Sequence, residues 1–432
     1  MFQRRILLGL VLLTFIGAFY KSRFYPVVSP FSVPVTQSLD HSSPVFESRF
    51  ASTKPFTSVH AGSMVELKNG SIRAFWFSGS REGASDVTIR SAVFDPAASG
   101  WSDEREVVSR ESTQAGLHRY ISKLGNPVPM RASDGRLWVF YVTVSMGGWA
   151  GSSITAVTSD DEGGTWSAPR RLHSSPFLNI STLIKGAPFL YADGTMGLPV
   201  YHEFLAKFPE ILRIDNRGNV LDKQRLAAAG HGAIQPVLLV QNAQNALVLT
   251  RNSSRESPRY AQMMSTHDAG QSWSAITPTV LPNSDSALAA VVLSDGRLLA
   301  VMNHQDSGRE NLSLMLSADA GQSWRVVEVL EDQLALRKQK PNEQACLNVV
   351  EGLVMQSDAK IAASAVLVKD YVESAKKNVD PADDCNFEFS YPYLIQAQNG
   401  DFHVLYTWNR AFIKHLRFNT AWLEQRLNGS KP

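Results

Sequence analysis

Two arginines stand at corresponding places in a repeating sequence. Arg251 closes the apolar run Ala246 to Thr250, and Arg309 opens Arg309-Glu310-Asn311-Leu312. A guanidinium offers paired N–H donors in one plane and stays charged at any physiological pH, so two of them facing one cavity would hold a carboxylate. A single arginine at a strand end is more commonly just ion-paired, but the matched placement of two favours a shared anion site. The pair His202-Glu203, at the end of another strand, has the chemistry to orient a ligand's hydroxyl groups. His60 follows the β-like Thr57-Ser58-Val59 and is one of ten scattered histidines, for which a satisfied, half-buried ring is the ordinary expectation. No two histidines have a metal-ligand spacing such as His-x-x-x-His, so neither a metal ion nor another cofactor is expected. The formal charge of +2 is well mixed along the 432 residues, which speaks against a nucleic-acid partner, because neutralising phosphates needs a concentrated basic surface.

The elements that must position these groups are short strands. Three segments share the pattern Ser/Thr-x-Asp-x-Gly-x-Ser/Thr-Trp: Ser159 to Trp166, Thr266 to Trp273 and Ser317 to Trp324. Such a segment makes a hairpin turn: the Asp carboxylate accepts N–H bonds across the turn, Gly takes a positive φ, and Trp fills the space between sheets. Asp161, Asp268 and Asp319 lie 107 and 51 residues apart, so the unit is about fifty residues, with a degenerate copy at Asp215-Asn216-Arg217-Gly218-Asn219. A second echo, Asn69-Gly70, Asp134-Gly135, Asp193-Gly194, Asp295-Gly296 and Asn399-Gly400, with a degenerate member near Asn245, brings the count to six. A turn signature at this period predicts an all-β, six-bladed β-propeller with four strands per blade. The doubled last interval places an insertion at about 325–385, helical over Glu331 to Lys340; a seventh turn at Gln356-Ser357-Asp358 is the alternative.

Before the propeller, at 49–425, lie two further segments and after it a tail, 426–432. Residues 1–25 carry Arg4 and Arg5, fifteen mostly apolar residues from Ile6 to Tyr20, then Lys21 and Arg23, and read as a signal peptide or a hydrophobic membrane anchor. At about 1.5 Å per residue the run falls short of a roughly 30 Å hydrocarbon core. Its cleavage candidate, Ile16-Gly17-Ala18, is a mediocre match, which favours an anchor with the propeller facing the periplasm or the exterior. Residues 26–48, rich in Ser and Pro, read as a stalk. Export would permit Cys346 and Cys385 to pair; two unrelated buried thiols are the other reading.

The repeated turn on a six-unit frame, with the phrases Phe75-Trp76-Phe77-Ser78-Gly79-Ser80-Arg81-Glu82-Gly83, Leu198-Pro199-Val200-Tyr201-His202-Glu203, Phe389-Ser390-Tyr391-Pro392 and Tyr406-Thr407-Trp408-Asn409-Arg410, resembles the sialidase (neuraminidase) superfamily, in its bacterial Asp-box or BNR-repeat branch. The resemblance runs from about Phe56 to Leu423 and implies three arginines on a substrate carboxylate, an Asp acid/base, and a Tyr nucleophile activated by a Glu. A sialoside has its carboxylate on the anomeric carbon, which would repel an anionic nucleophile and so suits a neutral Tyr. By this resemblance Arg251 and Arg309 are the second and third arginines and Tyr391 is the nucleophile. His60 stands where the first arginine belongs, and Gln235 stands where the activating Glu belongs, sixteen residues before Arg251. Glu82 or Asp86, in the loop that also holds Arg81, is left to donate the proton.

Three functions fit these residues. The leading one is an exo-acting glycoside hydrolase on a terminal acidic sugar, an exo-α-sialidase or a relative, acting on a sialoglycoconjugate or another acidic glycan. The second is a uronate polysaccharide lyase in which Gln235 and arginine neutralise the carboxylate and His60 or Tyr391 moves protons. The third is a non-catalytic propeller that binds acidic glycans.

Overall fold

The computed structural model describes residues 2–23, 29–34, 43–55, 57–175, 179–381 and 385–429. Six antiparallel sheets make six blades. The innermost strands are Ser58–Glu66, Lys123–Arg131, Leu183–Ile184, Ala233–Val240, Ala289–Val292 and Phe389–Gln396, for blades 1 to 6 in chain order. Strands inside the stack are covered on both faces, so they read as continuous apolar runs: every residue of Leu137–Val144 in blade 2 is buried.

The ring closes by strand exchange. Phe46–Phe50 pairs antiparallel with Phe412–Phe418 and becomes the outer strand of blade 6, so the two ends of the chain share one sheet. A buried trio reinforces the neighbouring seam: Tyr406 Oη and Lys414 Nζ of blade 6 each donate to Glu331 Oε1 of blade 5 at 2.6 Å.

All six Asn-Gly, Asp-Gly and related turns join a first strand to a second, and the patterned Asp turns join third strands to fourth. The register Arg131↔Leu137↔Ser159 puts both kinds at one end of the ring. In the third such turn Asp319 Oδ1 accepts from Ser323 N at 2.8 Å and from Ser317 Oγ at 2.8 Å, and Trp324 Nε1 donates to Gly321 O at 3.1 Å. In the degenerate copy Asp215 keeps the bond from the residue four ahead, Asn219 N, and accepts in addition from Arg217 N.

Between blades 5 and 6 the chain leaves the ring as helices Leu334–Gln339, Glu343–Ser357, Ala359–Ala362 and Ala365–Val379. They sit against blade 6, where Tyr371 stacks on Phe412 at 4.1 Å, and a Cys346–Cys385 disulfide ties them down. The segment Arg325–Asp332 is the outer strand of blade 5, so the excursion starts later than expected. Gln356-Ser357-Asp358 is a helix junction and no seventh blade forms among the described residues: Asp358 caps the short helix through Lys360 N and accepts from Phe50 N.

Phe2–Arg23 is helical, but no helix among the described residues is long and apolar enough to cross a membrane. The expected membrane anchor is therefore not supported; the basic residues at both ends leave too short an apolar run. Of the stretch read as a stalk, residues 24–28 and 35–42 lie outside the described residues. Within the rest, Phe31 is buried against Phe189 and Tyr191 of blade 3.

Candidate active site

At the end of the ring opposite the Asp turns, four innermost strands break register: between His60 and Ser63, Gly125 and Val128, Ile234 and Val237, and Ser390 and Tyr393. Inside these bulges Ala61, Asn126, Gln235 and Tyr391 have φ of +56°, +38°, +52° and +53°, and Asp285, just before the first strand of blade 5, has +57°. A non-glycine residue there costs on the order of 1 kcal/mol, and a bulge re-aims the side chain it carries. Asn126-Pro127, Gln235-Pro236 and Tyr391-Pro392 place a residue without N–H where the ladder is interrupted. The repeated strain turns polar groups toward the axis.

Tyr391 is central among them. Its ring lies 4.2 Å from that of His60, and Gln235 Nε2 donates to its Oη at 3.4 Å and to Tyr201 Oη at 3.4 Å. Arg251 Nη1 donates to Gln235 Oε1 at 3.3 Å, which fixes the amide with its NH2 toward the two phenols. Lys185 of blade 3 sends Nζ to Pro392 O at 3.0 Å and lies 5.8 Å from the Tyr391 ring. Burial lowers the Lys185 amine to about 7, so a neutral, lone-pair-bearing form is populated near neutrality. His60 is 1% exposed and its Nδ1 has no hydrogen-bond partner. Its pKa is lowered to about 3, chiefly by burial, with Arg410, Arg309 and Lys185 adding to the effect against the pull of Glu388.

Around this centre runs an arc of alternating charge in which each arginine reaches across a seam to a carboxylate of the next blade. Arg251 Nε of blade 4 binds Asp285 Oδ1 of the connection into blade 5 at 2.7 Å. Arg309 Nη1 of blade 5 binds Glu388 Oε1, next to blade 6, at 3.0 Å, while its Nη2 donates to Asp285 O at 3.2 Å. Arg410 of blade 6 binds Glu388 Oε2 at 2.7 Å and Glu82 Oε2 of blade 1 at 2.8 Å. Burial opposes ionisation of Glu388, but Arg410, by charge and hydrogen bond, and the charge of Arg309 hold it down at about 2. Glu388 is therefore ionised throughout the physiological range, and each guanidinium of the arc retains N–H groups beyond those bonds.

A family model described as a BNR repeat-like domain matches residues 70–404. The chain belongs to that family. Among curated proteins none matches it. Of solved structures, the Hadza microbial sialidase Hz136 is similar at 14% identity and TM-score 0.58, covering 83% of this chain; the chain spans 65% of that sialidase. The NanB sialidase of Streptococcus pneumoniae is similar at 10% identity and TM-score 0.58, covering 92% of this chain and 71% of its own. A Penicillium chrysogenum α-L-arabinanase is similar at 12% identity and TM-score 0.51, covering 88% of this chain and 99% of its own. At such identities the likeness establishes the propeller.

In this BNR repeat-like propeller His60, Gln235, Arg251, Arg309 and Tyr391 do converge at one end of the axis. Glu82 reaches the arc as a partner of Arg410, already ion-paired. Asp86 points back into its own loop, accepting from Ser80 N at 3.0 Å and Ser80 Oγ at 3.0 Å, which makes it a turn cap. Arg81 is exposed on that loop. His202 turns away: its ring stacks on Phe208 at 4.7 Å, because successive residues of a strand face opposite sides and Tyr201 takes the side toward Gln235. Sequence reading passed over Lys185, Asp285, Glu388 and the role of Arg410. Lys185 occupies the blade 3 counterpart of the bulge positions, Lys185-Gly186 corresponding to Gln235-Pro236; the repeating register of the first strands is the signal for it.

Proposed function

We propose that this protein is an exo-acting glycoside hydrolase of sialidase-like type, cleaving a terminal acidic sugar from a glycan or sialoglycoconjugate. The observation that supports this most is the convergence of Arg251, Arg309 and Arg410 from consecutive blades beside the phenol of Tyr391. The guanidiniums bind the sugar's carboxylate, and Tyr391 Oη attacks the anomeric carbon, a neutral nucleophile suited to an anionic substrate. Gln235 cannot take the phenolic proton, yet its N–H stabilises charge developing on Oη. The amine of Lys185, partly neutral near pH 7, accepts that proton through water. Arg410 stands beside His60 through the bond Val59 N to Arg410 O at 2.9 Å, and so supplies from blade 6 the cation that blade 1 lacks. The test is release of free sugar from a panel of α-sialosides and terminal uronides. We expect release of a carboxylated sugar and none from neutral glycosides; silence across the acidic panel ends this reading.

A second reading, β-elimination on a uronate polymer, draws on one feature: Gln235 and the neutral, unpartnered His60 fit carboxylate neutralisation and proton abstraction better than hydrolysis with a Glu-activated Tyr would require. Ultraviolet absorbance from an unsaturated product distinguishes it. We also place the protein in an oxidising compartment outside the cytoplasm, supported by the Cys346–Cys385 bridge and the basic-then-apolar start of the chain. Thiol labelling of freshly isolated protein tests this: alkylation of Cys346 without reduction contradicts it.

A further inference from the structure

Hydrolysis of an alkyl glycoside needs an acid for the departing oxygen, and the acids around the arc can be sorted by what already holds them. Asp285 is bonded to Arg251, Glu388 to Arg309 and Arg410, Glu82 to Arg410, and Asp86 to its own loop. Glu203 differs. Among the described residues its carboxylate has no hydrogen-bond or ion-pair partner, although its backbone N–H is anchored to Ser181 Oγ at 2.8 Å. It follows the second strand of blade 3, Met196–His202, in which Tyr201 holds the place that Arg251 holds in the second strand of blade 4, Ala246–Asn252.

Strand alternation says where Glu203 faces. Tyr201, two residues earlier, turns its hydroxyl to Gln235 of blade 4, and His202 turns the other way onto Phe208. Glu203 therefore faces the same side as Tyr201, toward the arc. The groups that act on it electrostatically come from that direction and from its own loop: Arg251, Asp285 and Lys207.

We propose that Glu203 is the proton donor of the site, resting on the glycosidase reading above. Its proton passes to the glycosidic oxygen as the bond from the anomeric carbon to that oxygen breaks and the bond to Tyr391 Oη forms. The resulting carboxylate then takes a proton from the water that displaces Tyr391, restoring the acid. Half-burial without a partner suits the task. Desolvation raises its pKa, against the opposing charges of Lys207 and Arg251 and with a small push from Asp285.

The experiment compares wild type, Glu203→Gln and Glu82→Gln on two substrates of the same acidic sugar, one with an alkyl alcohol leaving group and one with an acidic phenol. An acid catalyst matters for the first and little for the second. Glu203→Gln is expected to lose roughly 100-fold or more in kcat/KM on the alkyl substrate, to stay within a few-fold on the aryl one, and to lose the alkaline limb of the pH profile. Glu82→Gln is expected to keep the alkyl-to-aryl ratio of wild type. A Glu203→Gln enzyme with an unchanged ratio and pH profile overturns this assignment and leaves the glycosidase reading standing. A wild type that turns over neither substrate overturns both.

Discussion

The two ends of the ring use the same side chains in opposite ways. At one end Asp161, Asp268 and Asp319 accept hydrogen bonds from residues no more than four positions away, and these bonds, the Thr165 or Ser backbone and hydroxyl donors foremost, hold each carboxylate at about 2. At the other end Asp285, Glu388 and Glu82 are each bonded to an arginine far away in sequence, separations of 34, 79 and 328 residues. A local carboxylate makes a turn and nothing else. A carboxylate whose partner lies on another blade ties two blades together and, in the same act, sets a guanidinium at the axis.

That contrast can be tested from both sides. The largest effect belongs to the centre of the axial end: Tyr391→Phe should abolish turnover, by roughly 1000-fold or more in kcat, with the melting temperature nearly unchanged, since only a hydroxyl bonded to Gln235 is lost. Next, Arg251→Ala and Arg410→Ala should each weaken binding of a carboxylated sugar by about ten- to a hundred-fold, about 1.4–2.8 kcal/mol, measured by calorimetry. Both should also lower thermal stability, because Asp285 is left without its cation and the half-buried Glu388 keeps only Arg309 of its two. An Asp turn should behave otherwise: Asp268→Ala is expected to lower the melting temperature by only about 2 °C and to leave sugar binding unchanged.

Acid should separate the ends further. His60, His403 and His415 are buried and their pKa values are lowered, to about 3 for the first two, chiefly by desolvation. The unfolded chain binds protons on these rings below about 6.5 while the folded protein does not, so stability is full above that pH and falls as pH drops. By pH 5.5 the His60 and His403 rings each remove about 1.4 kcal/mol, His415 acts in the same direction, and chemical unfolding at pH 7.5 and 5.5 measures the sum. Replacing His60 by Asn should reduce that pH dependence by about a third.

How much of this was readable from sequence follows the same division. The turns were legible because everything that makes them lies within eight residues: Ser317 to Trp324 carries its own donors, acceptor, glycine and plug. Six such units give a closed ring, so the propeller and the convergence of Arg251, Arg309 and Tyr391 followed. The hydrogen-bond partners did not, because they depend on which blade faces which. Arg410 was legible only as part of a phrase; its reach to Glu82 exists because strand exchange brings blade 6 against blade 1. Asp86 misled for the reverse reason, since a loop acid beside a site is equally well a cap on Ser80. The N-terminal helix was visible in the hydropathy, but its apolar length was not enough for the anchor expected of it.

The central claim is that the axial guanidiniums read a carboxylate. It is tested most directly by comparing wild-type kcat/KM on one aryl glycoside of an acidic sugar with that on its methyl ester, which keeps shape and loses charge. The acid should be turned over at least about a hundred-fold faster, the worth of two charge-assisted hydrogen bonds at about 1.4 kcal/mol each. Equal rates, or preference for the ester, would contradict the account.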